Sequence, residues 1–393
     1  MNNFDLPIER RGTNSYKWDS SMRLYGTEDI LPMWTADMDF RCPEPLLEVF
    51  KKRVDHGIFG YTQRDENYFG IIQSWLLRRF NWELPREAIC WCPPGVIPAL
   101  SFLLDILTNE GDSCIIHMPN YDSLFDIVGA KGRNLITTNL LKTDAGYEID
   151  FDDFEAKVVA HKPKVLIFCS PHNPTGRVWT LEELTKIVNI CVEHDIWVIS
   201  DEVHCDLVRK GVTHRPMGSI KEIAQKCVTM MSPNKSFNVA GLASASIFIE
   251  NEWLMKAYRK ALSTIATTLD NVFATLAIDV LYGDPKCETW LNEVNAYLEG
   301  NIEYAIATMQ EKLPELWVKK PEGTYLLWID FGALGLSGDA LKDFLIKDAK
   351  LGLILGREFG PGCDSFARMN MACMRVTVEE AMKRLSLAAE KYR

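Results

Sequence analysis

VLIFCSPHNPTG at 165–176, WVISDEVH at 197–204 and CVTMMSPNKSFN at 227–238 are the stretches on which the fold turns. Each begins as an unbroken apolar run and stops abruptly in turn-forming and polar residues. Such runs, without hydrophobic alternation, read as strands covered on both faces, the signature of a parallel sheet. Between the first two lies LEELTKIVNICVEHD (181–195), whose spacing predicts an amphipathic helix, with Thr180 and Glu183 placed as a capping box at its start. Upstream, VIPALSFLLDILTN (96–109) has the apolar spacing of a buried helix, and SCIIHMP (113–119) reads as a strand with a proline stop. Alternation of this kind predicts an α/β architecture. From about 252 to 282 the pattern is strongly helical, and the remainder mixes helices with a few strands (TYLLWIDF at 324–331, ARMNMA at 367–372). A smaller α+β domain is therefore expected to begin near Gly283-Asp284-Pro285.

The chain has 393 residues, 47% of them hydrophobic and 25% charged, which predicts a packed protein of more than one domain. Its 43 Lys and Arg against 54 Asp and Glu leave a net charge of -11, which argues against nucleic acid or an anionic membrane as main partner. No apolar run approaches the roughly 18 residues needed to cross a bilayer. The N-terminal MNNFDLPIERRGTN puts acidic residues and a proline where a secretory signal needs a basic start and an apolar run, so a cytoplasmic setting is expected. The eleven cysteines are scattered through apolar runs without metal or redox spacing, which predicts reduced, mostly buried thiols.

Open α/β sheets bind ligands beyond the carboxyl ends of their strands. That rule brings an amide (Asn173), a carboxylate (Asp201) and an amine (Lys235) to one crevice. Together with SYKWD (15–19), LPMWTADMDF (31–40), FGYT (59–62), PNY (119–121) and FARMNMAC (366–373), these motifs resemble the fold-type I enzymes that use pyridoxal 5'-phosphate (PLP). Within the class I/II aminotransferases, LPMWTADMDF and the Asp-Glu-Val-His form look like the cystathionine β-lyase, or cysteine-S-conjugate β-lyase, branch.

The resemblance implies an aspartate aminotransferase-like fold: a large PLP-binding domain over 41–282 with a mostly parallel seven-stranded sheet, and a small C-terminal domain over 283–393 that segment 1–40 joins. Lys235 would anchor the PLP aldehyde and serve as base at the substrate's Cα; Asp201 would pair with the pyridine nitrogen; Asn173 would bind the phenolic oxygen. His204 stands where the broader family carries a Tyr that binds the same oxygen, and is a candidate cofactor contact. The backbone N–H groups of Val96 and Ile97, after Pro93-Pro94-Gly95, and the Ser232 hydroxyl would bind the phosphate; Asn234 replaces a frequent second hydroxyl. Tyr121 would stack on the ring and help with proton transfer. Arg368 would clamp the substrate carboxylate with Asn173 and the Ala36 backbone, Arg357 and Arg375 being the alternatives. Tyr16, Trp34 and Arg357 are candidates for a distal pocket. Tyr61 would reach the site of a second subunit, which implies a homodimer.

The implied reaction is β-elimination of a thiol from L-cystathionine or another cysteine S-conjugate, giving pyruvate and ammonia. An aminotransferase acting on an L-amino acid would use the same lysine, aspartate and arginine. A PLP-fold protein whose main task is to bind another protein is the alternative from a different class.

Overall fold

The computed structural model describes residues 3–92, 95–265 and 271–393. Pro93 and Pro94 lie outside them, as does the 266–270 part of the expected helical stretch. Among the described residues the larger sheet has eight strands, in the spatial order Ile89–Trp91, Ser246–Ile249, Cys227–Met231, Trp197–Asp201, Val165–Cys169, Ser113–Met118, Asn134–Lys142, Tyr147–Ile149. This is one more than the seven expected. At the far edge, the three-residue strand Tyr147–Ile149 turns back antiparallel onto Asn134–Lys142, and its polar flanks hid it in the sequence. The central strands run parallel and the Ile89–Trp91 side closes antiparallel.

The reason for unbroken apolar strands is visible in how neighbours along each strand part company. Ile116, Ile167 and Ile199 pack with Leu100, Leu103 and Leu104 of helix Val96–Leu107. Ile115, Leu166 and Val198 face the other way, against Leu184, Ile187 and Val188 of helix Leu181–Glu193. Successive side chains point to opposite faces, and both faces are covered, so apolar residues dominate, and the polar exceptions such as Ser200 and Thr229 are themselves buried. Helix Leu181–Glu193 starts with the expected capping box: Glu183 N donates to Thr180 Oγ1 at 3.2 Å and Thr180 N to Glu183 Oε2 at 2.8 Å.

Beyond residue 283 the chain builds a separate, antiparallel sheet of four strands, Trp317–Val318, Leu326–Asp330, Phe366–Asn370 and Ile354–Leu355. It is reached through the 28-residue helix Pro285–Lys312, which Asp284 caps by accepting from Lys286 N at 2.8 Å. Leu31–Pro32 pairs with Leu351–Gly352, so the N-terminal segment is attached to this C-terminal part. Among the described residues no helix is long and apolar enough to cross a membrane. All eleven cysteines are free thiols, ten of them buried.

Candidate active site

Parallel strands put their carboxyl ends on one edge, and a cavity of about 410 Å³ lies there. Lys235, Asp201, Asn173, His204, Tyr121, Val96, Ile97, Ser232, Ala36 and Arg368 all line it. Tyr61 does not; it is 95% exposed on a loop. Of the alternative arginines, Arg375 is committed elsewhere, with Nε donating to Asn301 Oδ1 at 2.8 Å, and Arg357 is bonded to Asp339 at 3.0 Å.

Asp201 ends its strand on the same face as Ile199, toward helix Val96–Leu107. The next residue, Glu202, is buried and satisfied: it accepts from Ser200 Oγ at 2.7 Å, Met217 N at 2.9 Å and pairs with His214 Nε2 at 2.7 Å. Asp201 by contrast accepts from Val203 N, at 3.2 Å, and otherwise opens on the cavity. Burial, opposed by the Val203 N–H and Lys235, raises its carboxyl to about 6. A cationic nitrogen is what such a carboxylate lacks.

Lys235 sits on the single turn Pro233–Ser236, which Ser232 caps by accepting from Asn234 N at 3.0 Å. Burial, with Arg368 nearby, lowers its amine to about 8. Its Nζ donates to Ala36 O at 2.9 Å, and the Tyr325 hydroxyl donates to the same oxygen at 2.8 Å. Ser232 Oγ donates to Ser244 O at 2.6 Å, so it can reach a phosphate as donor only by exchanging that bond.

Arg368 occupies the middle of its sheet, between Trp328 and Ile354 in register. It is 3% exposed; Nη1 donates to Asn173 Oδ1 at 2.9 Å, Nη2 to Trp34 O at 3.1 Å, and the guanidinium lies 5.0 Å from the Phe359 ring centre. Nε has no partner. Burial lowers its pKa to about 10, still cationic near neutrality. His204 Nδ1 is likewise buried without a partner among the described residues. Burial, then Lys235 and Arg368, keep this imidazole neutral by holding its pKa well below the usual range. Tyr121 is placed by Asn120, whose Oδ1 accepts from Tyr121 N at 2.8 Å and whose N donates to Phe359 O at 2.9 Å.

These residues fit PLP. Asp201 can take a pyridinium nitrogen, Lys235 an aldehyde, and the start of helix Val96–Leu107, where Gly95 has φ +137°, a phosphate dianion. Arg368 Nε remains for a carboxylate.

Other groups at the site had no assigned role in the sequence. Asn370 Nδ2 donates to both Thr35 O and Asp37 O, each at 2.6 Å, while its Oδ1 accepts from Ala372 N at 2.7 Å. Asn238 holds the next residues, accepting from Met38 N at 2.9 Å and donating to Met38 O and Phe40 O. Lys17, 1% exposed, donates to Asp39 at 2.8 Å, and Trp18 Nε1 donates to the same carboxylate at 2.9 Å. Burial disfavours the Asp39 anion, but Lys17, Trp18 and Arg10 outweigh it and hold the pKa down. The segment 34–40 is thus a strap tied from both sides across the cavity. Asn370 lies in FARMNMAC and Asn238 ends SPNKSFN, but neither short motif carries a sign of what lies hundreds of residues away.

The profile of the aminotransferase class I and II family matches residues 59–385. Over 98% of this chain and 99% of that protein, the sequence is 38% identical to cystathionine beta-lyase PatB of Bacillus subtilis strain 168. The crystal structure of cystalysin from Treponema denticola, which contains a pyridoxal 5'-phosphate cofactor, is 32% identical over the whole of both chains with a TM-score of 0.95. That of the PLP-bound C-S lyase from Staphylococcus hominis is 31% identical over 99% of this chain and 98% of that one, with a TM-score of 0.92.

Proposed function

The chain belongs to the aminotransferase class I and II family, and from that premise we propose that it is a PLP-dependent C–S β-lyase, cleaving L-cystathionine or other cysteine S-conjugates to a thiol, pyruvate and ammonia. The observation that carries this reading is the buried trio of Lys235, Asp201 and Arg368 on one cavity, in a chain alike end to end to a protein named as a cystathionine β-lyase.

PLP, when bound, supplies an electron sink conjugated with the substrate's Cα. Asp201 keeps the cofactor's ring nitrogen charged, because a buried carboxylate and a cation each favour the other's ionised form. Arg368 takes the substrate's α-carboxylate through its free Nε edge and is itself aimed by Asn173 and Trp34. An amine lowered to about 8 is unprotonated far more often near neutrality than a surface lysine, so Lys235 can accept the proton from Cα. Its bond to Ala36 O fixes where Nζ waits. A thiolate then leaves from Cβ, helped by the low pKa of thiols, about 8.5. Water converts the released enamine to pyruvate and ammonia.

The same reading extends to the assembly and the setting. Two copies pair, and Tyr61, which is exposed and does not line its own cavity, reaches the phosphate of the second copy; the setting is cytoplasmic. The division is 41–282 for the cofactor domain and 283–393 for the small domain, with 1–40 joined to the latter, a division supported by the strand pairing of Leu31–Pro32 with Leu351–Gly352.

The test is L-cystathionine given to the purified holoenzyme with no 2-oxo acid present. Thiol and pyruvate should appear in equal amounts. Turnover that strictly requires an oxo-acid acceptor, leaving pyridoxamine phosphate on the protein, would make the chain an aminotransferase instead.

A further inference from the structure

Asp206 does not line the cavity, yet it is a fully buried carboxylate on the segment that follows Asp201. Its Oδ2 accepts from Ser236 Oγ at 3.1 Å, and Arg79 Nε stands 3.5 Å from its Oδ1. Asn295 Nδ2, on helix Pro285–Lys312, donates to its backbone oxygen at 2.8 Å. Burial disfavours the Asp206 anion, while Arg79, the Ser236 hydroxyl and His214 favour it. Ser236 is buried as well and directly follows Lys235 on the turn Pro233–Ser236. A buried carboxylate is a costly way to hold one hydroxyl, since the hydration it gives up is not fully restored by a cation at 3.5 Å. Stability alone gives little reason for it.

The position of Lys235 supplies the reason. Asp201 and Lys235 serve the ring nitrogen of PLP and the aldehyde on the carbon opposite, so the spacing of their backbones has to match one rigid ring. Sheet register places Asp201 beside Met230. The strand ends at Met231, and Lys235 lies past it on a turn that register no longer holds. Segment 201–207 folds back in two turns, Cys205 N donating to Glu202 O at 3.0 Å and Leu207 N to His204 O at 2.9 Å, which brings Asp206 to Ser236. We propose that Asp206 is a positioning residue of the reaction: through Ser236 it ties the Lys235 turn to the segment that carries Asp201, and so sets where the Lys235 amine meets the cofactor and the substrate's Cα. This rests on the role of Lys235 in the lyase reading, though not on which bond of the substrate breaks once Cα has lost its proton.

Ser236→Ala, Asp206→Ala and the double variant remove the hydrogen bond from either end, and two rates are read on each. The first is capture of PLP by the cofactor-free protein, followed by its visible band. The second is exchange of the Cα proton of L-norvaline by the holoenzyme in deuterated water: Lys235 takes the proton and returns a deuteron, and the side chain has no group to lose from Cβ. Each single variant should slow both rates about tenfold, the loss expected when a reacting group is slightly misplaced, and the double variant should lose no more than the slower single one. The norvaline concentration at half-saturation should stay within about twofold, because Arg368 and Asn173 hang from other elements, whereas general loosening of the fold would raise it. Rates in Ser236→Ala within about twofold of wild type, losses that multiply in the double variant, or half-saturation that rises as the rate falls would each overturn the proposal. Should Asp206→Ala fail to fold, Ser236→Ala decides alone. Lys235→Ala tells the two readings apart. If it captures PLP with the visible band intact, Lys235 is not the cofactor lysine and the proposal falls with that role; if it loses the band while the other variants match wild type, the proposal falls by itself.

Discussion

Asn370 ties the strap over the active site, and its removal should damage stability and substrate binding together. The side chain is 1% exposed and makes three hydrogen bonds, donating to Thr35 O and Asp37 O and accepting from Ala372 N. Asn370→Ala strands all three groups. An unpaired buried group costs about 1–3 kcal/mol, and because the two carbonyls are only partly buried and can recover water, the sum should be about 3–4 kcal/mol. That is a large share of a typical stability of about 5–15 kcal/mol. The site suffers through its neighbours. Trp34 O anchors Arg368 and Ala36 O anchors Lys235, and both lie on the strap. Losing one hydrogen bond to a charged group costs about 1.5–3 kcal/mol, so KM for amino-acid substrates should rise about ten- to hundredfold. Asn370→Asp sharpens the case: it keeps the acceptor for Ala372 N but sets a carboxylate against two carbonyls, and should be at least as harmful as Ala. Urea unfolding of the holoenzyme gives the stability change and steady-state kinetics give KM. A loss of stability below about 1 kcal/mol with KM unchanged, or an Asp variant close to wild type, would refute the reasoning.

The cofactor-free protein should capture PLP at a rate that climbs about tenfold per pH unit up to about 8 and then levels, since only the unprotonated Lys235 amine adds to an aldehyde; levelling only near 10 would show an ordinary lysine. Because folding lowers this pKa, the unfolded chain binds more protons between about 8 and its ordinary value of 10.5, so the cofactor-free protein should gain stability as pH rises through that window, seen in urea midpoints. Arg368→Lys should keep the visible band of bound PLP but raise substrate KM about tenfold or more, because one ammonium cannot hold Asn173, Trp34 O and a carboxylate in a plane. Gly323→Ala would put a Cβ 2.7 Å from Pro171 Cβ and 2.9 Å from Val178 Cγ2, on the loop that carries Asn173. It should cost about 1–3 kcal/mol by denaturation, while Gly241→Ala, with nothing within 4 Å, should cost much less.

What could be read from the sequence was local. Strand, turn and functional residue follow one another within a dozen positions in SPHNPTG, SDEVH and SPNKSFN, so period, chain stop and chemistry were legible together, and Asn173, Asp201 and Lys235 do meet at one cavity. The capping box at Thr180 was legible for the same reason. The short edge strand Tyr147–Ile149 was not, because three residues give no period to count. Nor was the strap. Lys235 meets Ala36 across 199 positions, Arg368 meets Trp34 across 334, and Asn370 meets Thr35 across 335. Bonds of that range leave no spacing in the chain; they exist because the sheets and helices, once packed, bring the N-terminal segment over the carboxyl edge of the large sheet and beside the small one. The chemistry available to this protein was thus fixed by short motifs, whereas the aim of Arg368 and the resting place of the Lys235 amine were decided only by packing.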